Sequence, residues 1–369
     1  MKRSGKRGEP VQMDLSKDYK GRKVLITGDT GFKGSWLATW LLHLGANVSG
    51  FGLSPKNLND NFNVSGLNSR MHHIEGDIRN FNTVSETIKK IEPDYIFHLA
   101  AQALVLDSFD DPYLTFETNV VGTLNVLEAI RKYPGVGAAV IVTSDKCYEN
   151  KETAQAYRET DSLGGKDPYS ASKAATELVT SSYIQSFFSL PDTPSIATVR
   201  AGNVIGGGDW SKNRIIPDCI RSLNQNQPIN IRNPRSVRPW QHVLEPLYGY
   251  LKLGKALYNE GKKYSGAWNF GPHPAHAVTV EHLVKELIRQ WGSGTYHVSE
   301  NENRNAESRT LTLDISKAAN ILQWYPVLSV EKALKYTLEE YRINGWSEDA
   351  VFHQRCTHID EYMNLREMV

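Results

Sequence analysis

The chain has 369 residues, of which 40% are hydrophobic, 22% charged and 10% aromatic, and its formal net charge is +1. So balanced a charge argues against a nucleic-acid footprint, which needs concentrated positive charge, and no stretch approaches the roughly 20 apolar residues of a membrane span. Cys147, Cys219 and Cys356 are too few and too scattered for a disulfide framework or a paired-cysteine zinc site. A soluble cytoplasmic protein is expected, with no metal centre and neither nucleic acid nor membrane as partner.

Residues 1–20 are polar and aperiodic, with Lys2, Arg3, Lys6, Arg7 and Lys17 among them and no apolar run of the kind an export signal needs. They read as a disordered arm, with Met13 as an alternative start. From Lys23 short apolar runs alternate with helical patterns, the order of a parallel sheet with crossover helices. Residues 23–27 form a buried strand; Trp36, Leu37, Trp40, Leu41 and Leu44 then share one helical face, and Gly45 is placed to stop that helix. Further strands are predicted at 47–51, 72–74, 95–99, 138–143 and 196–200, with helices near 81–91, 114–132 and 168–187. Beyond Ala201 come three glycines at 206–208, a basic loop at 232–238 and helices near 243–258, 280–291 and 330–343. The predicted architecture is α/β: a Rossmann-type doubly wound parallel sheet over 21–200, then a smaller mixed α/β substrate-binding domain over 201–369, some segments of which return to the first.

Between the first strand and helix stand Thr27, Gly28, Asp29, Thr30, Gly31, Phe32, Lys33 and Gly34, a GxxGxxG spacing. Glycine adds no side chain and tolerates unusual backbone angles, so such a turn brings backbone amides and a helix N-terminus up to a pyrophosphate. Its place at the first strand-to-helix junction of an alternating chain makes it a dinucleotide site. An acid at the end of the second strand normally selects NAD over NADP, but residues 50–56 contain none. Ser54 suits a ribose hydroxyl and Lys56 a phosphate, so the 2′ position stays open; a hydride borrowed and returned needs only tightly held NAD. Asp77, with Ile78 behind it, is either an adenine contact or a cap on the turn before Asn80.

Asp167 followed by Pro168 predicts a helix start, which puts Tyr169 and Lys173, four apart, on one face. A nearby ammonium favours phenolate and lowers a tyrosine pKa from its usual value of about 10. Such a phenolate removes a proton from a sugar hydroxyl as hydride leaves its carbon. The fifth strand ends in Thr143 and Ser144; strand ends of this kind face the ligand crevice, where Ser144 can bond the same hydroxyl.

This constellation resembles the short-chain dehydrogenase/reductase family over nearly all of the chain after the arm. The TGxxGFxG form of the turn, the His-Leu-Ala-Ala-Gln run at 98–102 and the Asn-Val-Val-Gly-Thr run at 119–123 are similar to its extended, nucleotide-sugar-modifying branch. The resemblance implies a cofactor beside Phe32, Lys33, Leu99, Ala100 and Ala101, with Gln102 on the substrate side. Asp145 and Lys146 follow Ser144 directly. A 4-epimerase removes and returns one hydride at a single carbon, whereas a 4,6-dehydratase needs two further groups, a base for the C5 proton and an acid for the departing C6 hydroxyl. Dehydratases of dTDP-glucose and GDP-mannose have Asp-Glu at that pair, from which Lys146 departs. The runs at 143–150, 164–169 and 238–243 resemble the CDP-glucose 4,6-dehydratases, which implies conversion of CDP-D-glucose to its 4-keto-6-deoxy sugar with Asp145 as C6 acid and Lys146 as C5 base. To act as a base Lys146 must be neutral, which requires burial or Lys173 to depress its pKa; the alternative is an electrostatic role at the C5 enolate oxygen. Glu149 is a further carboxylate for relay or binding.

A diphosphate calls for arginine, and the family pattern points to Arg238 with Asn203, with Arg214, Arg304 and Arg309 as further candidates. The resemblance also implies a homodimer or homotetramer paired through the helices at 114–132 and 168–187. Another nucleotide-sugar 4,6-dehydratase, a 4-epimerase and a non-catalytic dinucleotide-sensing protein are the alternatives.

Overall fold

Strands covered on both faces read as continuous apolar runs, and the core of this protein is built from such runs: Val24, Leu25 and Ile26 of β1 (Lys23–Thr27) and every residue of β5 (Ala138–Val142) are buried. With β2 (Asn47–Gly52), β3 (His72–Glu75), β4 (Tyr95–His98) and β6 (Ser195–Arg200) they form one parallel sheet in the order β3-β2-β1-β4-β5-β6. A seventh strand, Gly266–Asn269, pairs in parallel with β6 and was not foreseen from the sequence. The computed structural model describes residues 15–55, 57–152, 155–273, 277–298, 311–343 and 345–368. The Rossmann-type doubly wound sheet is the fold, and because strand order reverses between β1 and β4, a crevice opens at their carboxyl ends.

Two expectations need correction, and one helix was not foreseen. The predicted disordered arm ends early: Leu15–Tyr19 is a short helix, with both terminal side chains buried and the Tyr19 hydroxyl donating to Leu251 O at 2.7 Å. Two apolar side chains four apart suffice to seat it, while residues 1–14 lie outside the described residues. The helix expected at 114–132 is interrupted: Pro112–Phe116 runs into a π turn at Glu117–Val121 before Gly122–Lys132. Finally, a long helix at Glu348–Glu367, absent from the sequence reading, packs on the helix Phe32–His43. Its Arg355 is buried, lying 5.0 Å over the Trp36 ring and donating to Glu340 Oε2 at 3.0 Å and to Asn61 Oδ1 at 2.5 Å.

The later half of the chain both returns to the sheet and builds a core of its own. The helix Leu244–Glu260 is buried along most of its length and lies against β5 and β6. Ile216, Ile220, Leu223, Ile229, Leu283, Leu287 and Leu334 form a second apolar cluster beside it. No helix among the described residues is long and apolar enough to cross a membrane.

Two histidines are locked inside. His98 sits between Thr27 Oγ1 at 2.6 Å and Thr123 Oγ1 at 3.0 Å, and His242 lies edge-on to Trp36 and near-perpendicular to Tyr336. Burial, helped by the charge of Lys173 on the first and His358 on the second, drops each to about 3. Unfolded histidine titrates near 6.5, so between that pH and about 3 the unfolded chain takes up protons that the folded chain refuses, and stability falls as pH falls. Urea unfolding at about pH 5 is expected to give a free energy a few kcal/mol below that at about pH 7.5; equal stabilities would show that these imidazoles are not held neutral.

Candidate active site

The carboxyl ends of the strands open into a cleft of about 1670 Å³. At its floor the glycine turn is fixed by space as well as conformation. Gly28 has φ +74° and a Cβ there would fall 2.7 Å from Ala100 N, while a Cβ on Gly34 would fall 2.0 Å from Gly28 O. Gly31 N donates to Gly28 O at 3.1 Å and Gly31 caps the helix Phe32–His43. Gly28, Gly31, Phe32, Lys33 and Gly34 line the cleft, so a helix N-terminus and closely approached backbone meet there, a cradle that fits a dinucleotide pyrophosphate.

Beyond β4, Leu99 N donates to Thr27 O at 3.0 Å and Ala100 N to Thr27 Oγ1 at 3.3 Å, which brings Leu99, Ala100 and Ala101 to the cleft wall. Asp77 and Ile78 line it as well. The Arg79 guanidinium, 2.6 Å from Asp77, holds that carboxyl below the usual carboxylate range. Ser54 departs from expectation: Leu53 O accepts from Thr30 Oγ1 at 2.9 Å, the chain turns outward, and Ser54 is exposed beyond the lining formed by Gly52 and Leu53. The buried Asp29 carboxylate fills the space beside β2, where a Cβ on Gly50 would fall 1.9 Å from its Oδ2. Lys56 lies outside the described residues.

The helix Pro168–Ser186 starts as its sequence predicts, with Asp167 accepting from Ser170 N at 2.9 Å. Tyr169 and Lys173 lie on its buried face, 8% and 5% exposed, opposite Ser144 and Asp145 at the end of β5. Ser144 Oγ donates to Asp145 Oδ1 at 3.0 Å, accepts from Lys146 N at 3.2 Å and lies close enough to the Tyr169 phenol to lower its pKa. Lys173 Nζ donates to Val142 O at 3.3 Å; burial drops its pKa to about 8, opposed by Glu177 and Cys147. The expected lowering of Tyr169 does not arise from the chain's own charges. Burial pushes the phenol up to about 12 and Asp145 and Asp167 add to it, while the Ser144 bond and the Arg214 charge only partly offset this. Lys146 is partly buried in the wall, and Lys33 on the floor is dropped by burial to about 8, with Arg214 acting in the same sense.

The substrate-side residues fare unevenly. Gln102 lines the cleft, yet its side chain donates to Leu104 O at 3.0 Å and Thr115 Oγ1 at 2.9 Å and accepts from Leu104 N at 2.5 Å. Its amide therefore also shapes the loop. Asn119, in the π turn, clamps the Gln102 backbone from both sides and reaches Ser172 Oγ at 2.8 Å; such turns recur at functional sites. Asn203 lines the cleft with φ +47°, an uncommon conformation for a residue other than glycine. Arg214 and Arg238 line it too, the former held by Asp209 Oδ2 at 2.8 Å. Arg304 and Arg309 lie outside the described residues.

Two residues were missed. A Cβ on Gly202 would fall 1.8 Å from Asp145 Oδ2, so only glycine there admits the carboxylate; its signal is a glycine directly after the sixth strand's Arg200 and Ala201. Asp209 is buried five residues before the arginine it holds, a spacing with no distinctive sequence mark.

A family model described as GDP-mannose 4,6 dehydratase matches residues 25–337. The CDP-glucose 4,6-dehydratase of Salmonella typhimurium (strain LT2) is 43% identical over 350 residues, covering 94% of this chain and 97% of that protein. Among solved structures, the UDP-glucose 4-epimerase of Thermus thermophilus in complex with NAD superposes with a TM-score of 0.73 at 25% identity, covering 86% of this chain and 98% of that one. The dTDP-glucose 4,6-dehydratase of Bacillus anthracis str. Ames, also with NAD, gives 0.72 at 23% identity over 87% and 97% of the two chains, a likeness of fold. With the glycine turn, the Tyr169–Lys173 helix and most of the later half inside the matched span, the chain belongs to the GDP-mannose 4,6 dehydratase family, of the extended short-chain dehydrogenase/reductase type.

Proposed function

We propose that the protein is an NAD-dependent CDP-glucose 4,6-dehydratase. The observation that carries this reading is the placement of Asp145 and Lys146 beside Ser144 and Tyr169 in one cleft, an acid and a base beyond those that oxidation at C4 requires. The 43% identity to the Salmonella enzyme supports cytidine as the base. The glycine cradle and the NAD complex of the Thermus epimerase support the cofactor.

NAD held at the glycine cradle would supply the hydride acceptor for C4 and the hydride donor for C6. Tyr169 removes the C4 hydroxyl proton while Ser144 bonds the same oxygen, and Lys173 below them supplies positive charge. A C4 ketone acidifies the C5 proton, which Lys146 takes. Asp145 gives a proton to the C6 hydroxyl, so C5–H and C6–O break, a C5–C6 double bond forms and water leaves. Addition of hydride at C6 and of a proton at C5 completes the 4-keto-6-deoxy sugar. The net change is loss of water with an internal transfer of hydride, which makes the enzyme a carbon–oxygen lyase. Arg214 and Arg238 meet the diphosphate. Tyr113, Phe116, Val121 and Leu178 are exposed on the helices that the family resemblance pairs between subunits, which supports a homodimer or pair of dimers.

Incubation with CDP-, dTDP-, UDP- and GDP-glucose, followed by NMR, is expected to give the 4-keto-6-deoxy product from the CDP-sugar; inactivity there with turnover of another donor would overturn the substrate. Lys146→Met is expected to abolish solvent deuterium entry at C5 while C4 oxidation remains measurable. Deuterium entering C5 at the normal rate would remove Lys146 as the base and leave it an electrostatic role.

A further inference from the structure

Glu177 lies one helical turn beyond Lys173 and therefore on the same face. It is buried, as is its ion-pair partner Arg200 on β6, 2.8 Å away. One carboxylate oxygen accepts from the Thr143 hydroxyl, the other from Thr198 Oγ1 at 2.7 Å and from Arg200 Nη2. Thr143 is the residue between Val142, whose carbonyl receives Lys173 Nζ, and Ser144, which stands beside the Tyr169 phenol. The carboxylate thus grips the strand midway between its two contacts with the catalytic helix. Arg200 extends the chain of bonds through Nη1 to the Tyr148 hydroxyl at 2.7 Å, and Tyr148 lines the cleft.

We propose that Glu177, backed by Arg200, is the positioning residue of the proton-transfer site: it fixes the end of β5 under the catalytic helix and keeps Lys173 charged. Two strands can be braced by apolar side chains without the desolvation that a buried ion pair suffers. An anion beside a buried ammonium does what packing cannot, because it opposes the loss of the proton. The titratable groups around Lys173 are Tyr169 and Glu177 on its own helix, Cys147 after β5, Lys33 on the cofactor helix, His98 on β4 and Arg200 on β6. Of these, Glu177 and Cys147 act to retain the lysine proton, and burial raises the Cys147 thiol and so keeps it neutral. His98 is neutral and Lys33 repels. The task falls to Glu177.

The role of this pair in catalysis rests on the Tyr169–Lys173 chemistry proposed above, so the test has one arm that needs no turnover. In full-length protein with 15N-labelled lysine, the Nζ resonance of Lys173 is titrated by NMR, and kcat on CDP-glucose is followed against pH. Glu177→Gln is expected to move the Lys173 titration about one pH unit lower, and the alkaline limb of kcat with it, because removing the anion favours the neutral amine. Arg200→Gln leaves the carboxylate unopposed and is expected to move the titration upward. Opposite shifts in two variants of one ion pair are not produced by bracing alone, and should Glu177→Gln not fold, Arg200→Gln alone reads the same coupling with opposite sign. A Lys173 titration at the wild-type pH in either folded variant overturns the proposal. Wild-type protein inactive on CDP-glucose while both titrations shift would instead overturn the dehydratase reading and leave this one standing.

Discussion

An ammonium taken out of water is costly by several kcal/mol unless a carbonyl or an opposite charge meets it, and Lys173 sits under that constraint at the carboxyl end of β5. The surrounding structure is arranged to meet it. The Asp167 cap starts the helix so that Tyr169 and Lys173 face inward, Val142 O at the end of β5 receives the amine, and Thr143, just past that strand, bonds Val199 O of β6 through both its backbone N–H and its hydroxyl. The same low-dielectric setting that makes the lysine expensive makes every charge placed near the reacting sugar strong. Burial accordingly raises the Tyr169 phenol and lowers Lys173 and Lys33, bringing the two lysines to about 8.

Specificity for an anionic substrate has to be local, because one excess positive charge over 369 residues gives no bulk attraction. The cleft offers two kinds of positive potential: the glycine cradle and the start of the helix Phe32–His43 present backbone dipoles, and Arg214 and Arg238 line the same cleft with guanidinium groups. Asn119 and Gln102 hold the loop after β4 by amide bonds to one another, to Ser172 and to Leu104. The helix Glu348–Glu367 stiffens the same region from behind, through Arg355 bonded to Asn61 and Asn61 bonded in turn to Phe32 O and Gly207 O.

Much of this was legible in the residues because local physics decides it. Continuous apolar runs marked the inner strands, the glycine spacing marked the turn, and Asp167 with Pro168 marked the catalytic helix to the residue. What escaped depends on partners far along the chain. The strand Gly266–Asn269 is too short and mixed to stand out until β6 lies beside it. The helix Glu348–Glu367 buries Arg355 and His358 along with Tyr362 and Ile359, so its inner face carries no clean apolar stripe. Ser54 has suitable chemistry, but a turn of the chain exposes it. The proton affinity of Tyr169 was misjudged because residue spacing conveys charge but not burial.

If one cleft performs oxidation, elimination and reduction on the same sugar without releasing it, hydrogen leaves C4 and arrives at C6 within one molecule. Incubation with CDP-glucose deuterated at C4 is then expected to give a 4-keto-6-deoxy product with that deuterium at C6 of the same molecule, even when unlabelled CDP-glucose is mixed in. Deuterium lost to solvent, returned to C4, or carried to C6 of the unlabelled sugar would contradict it.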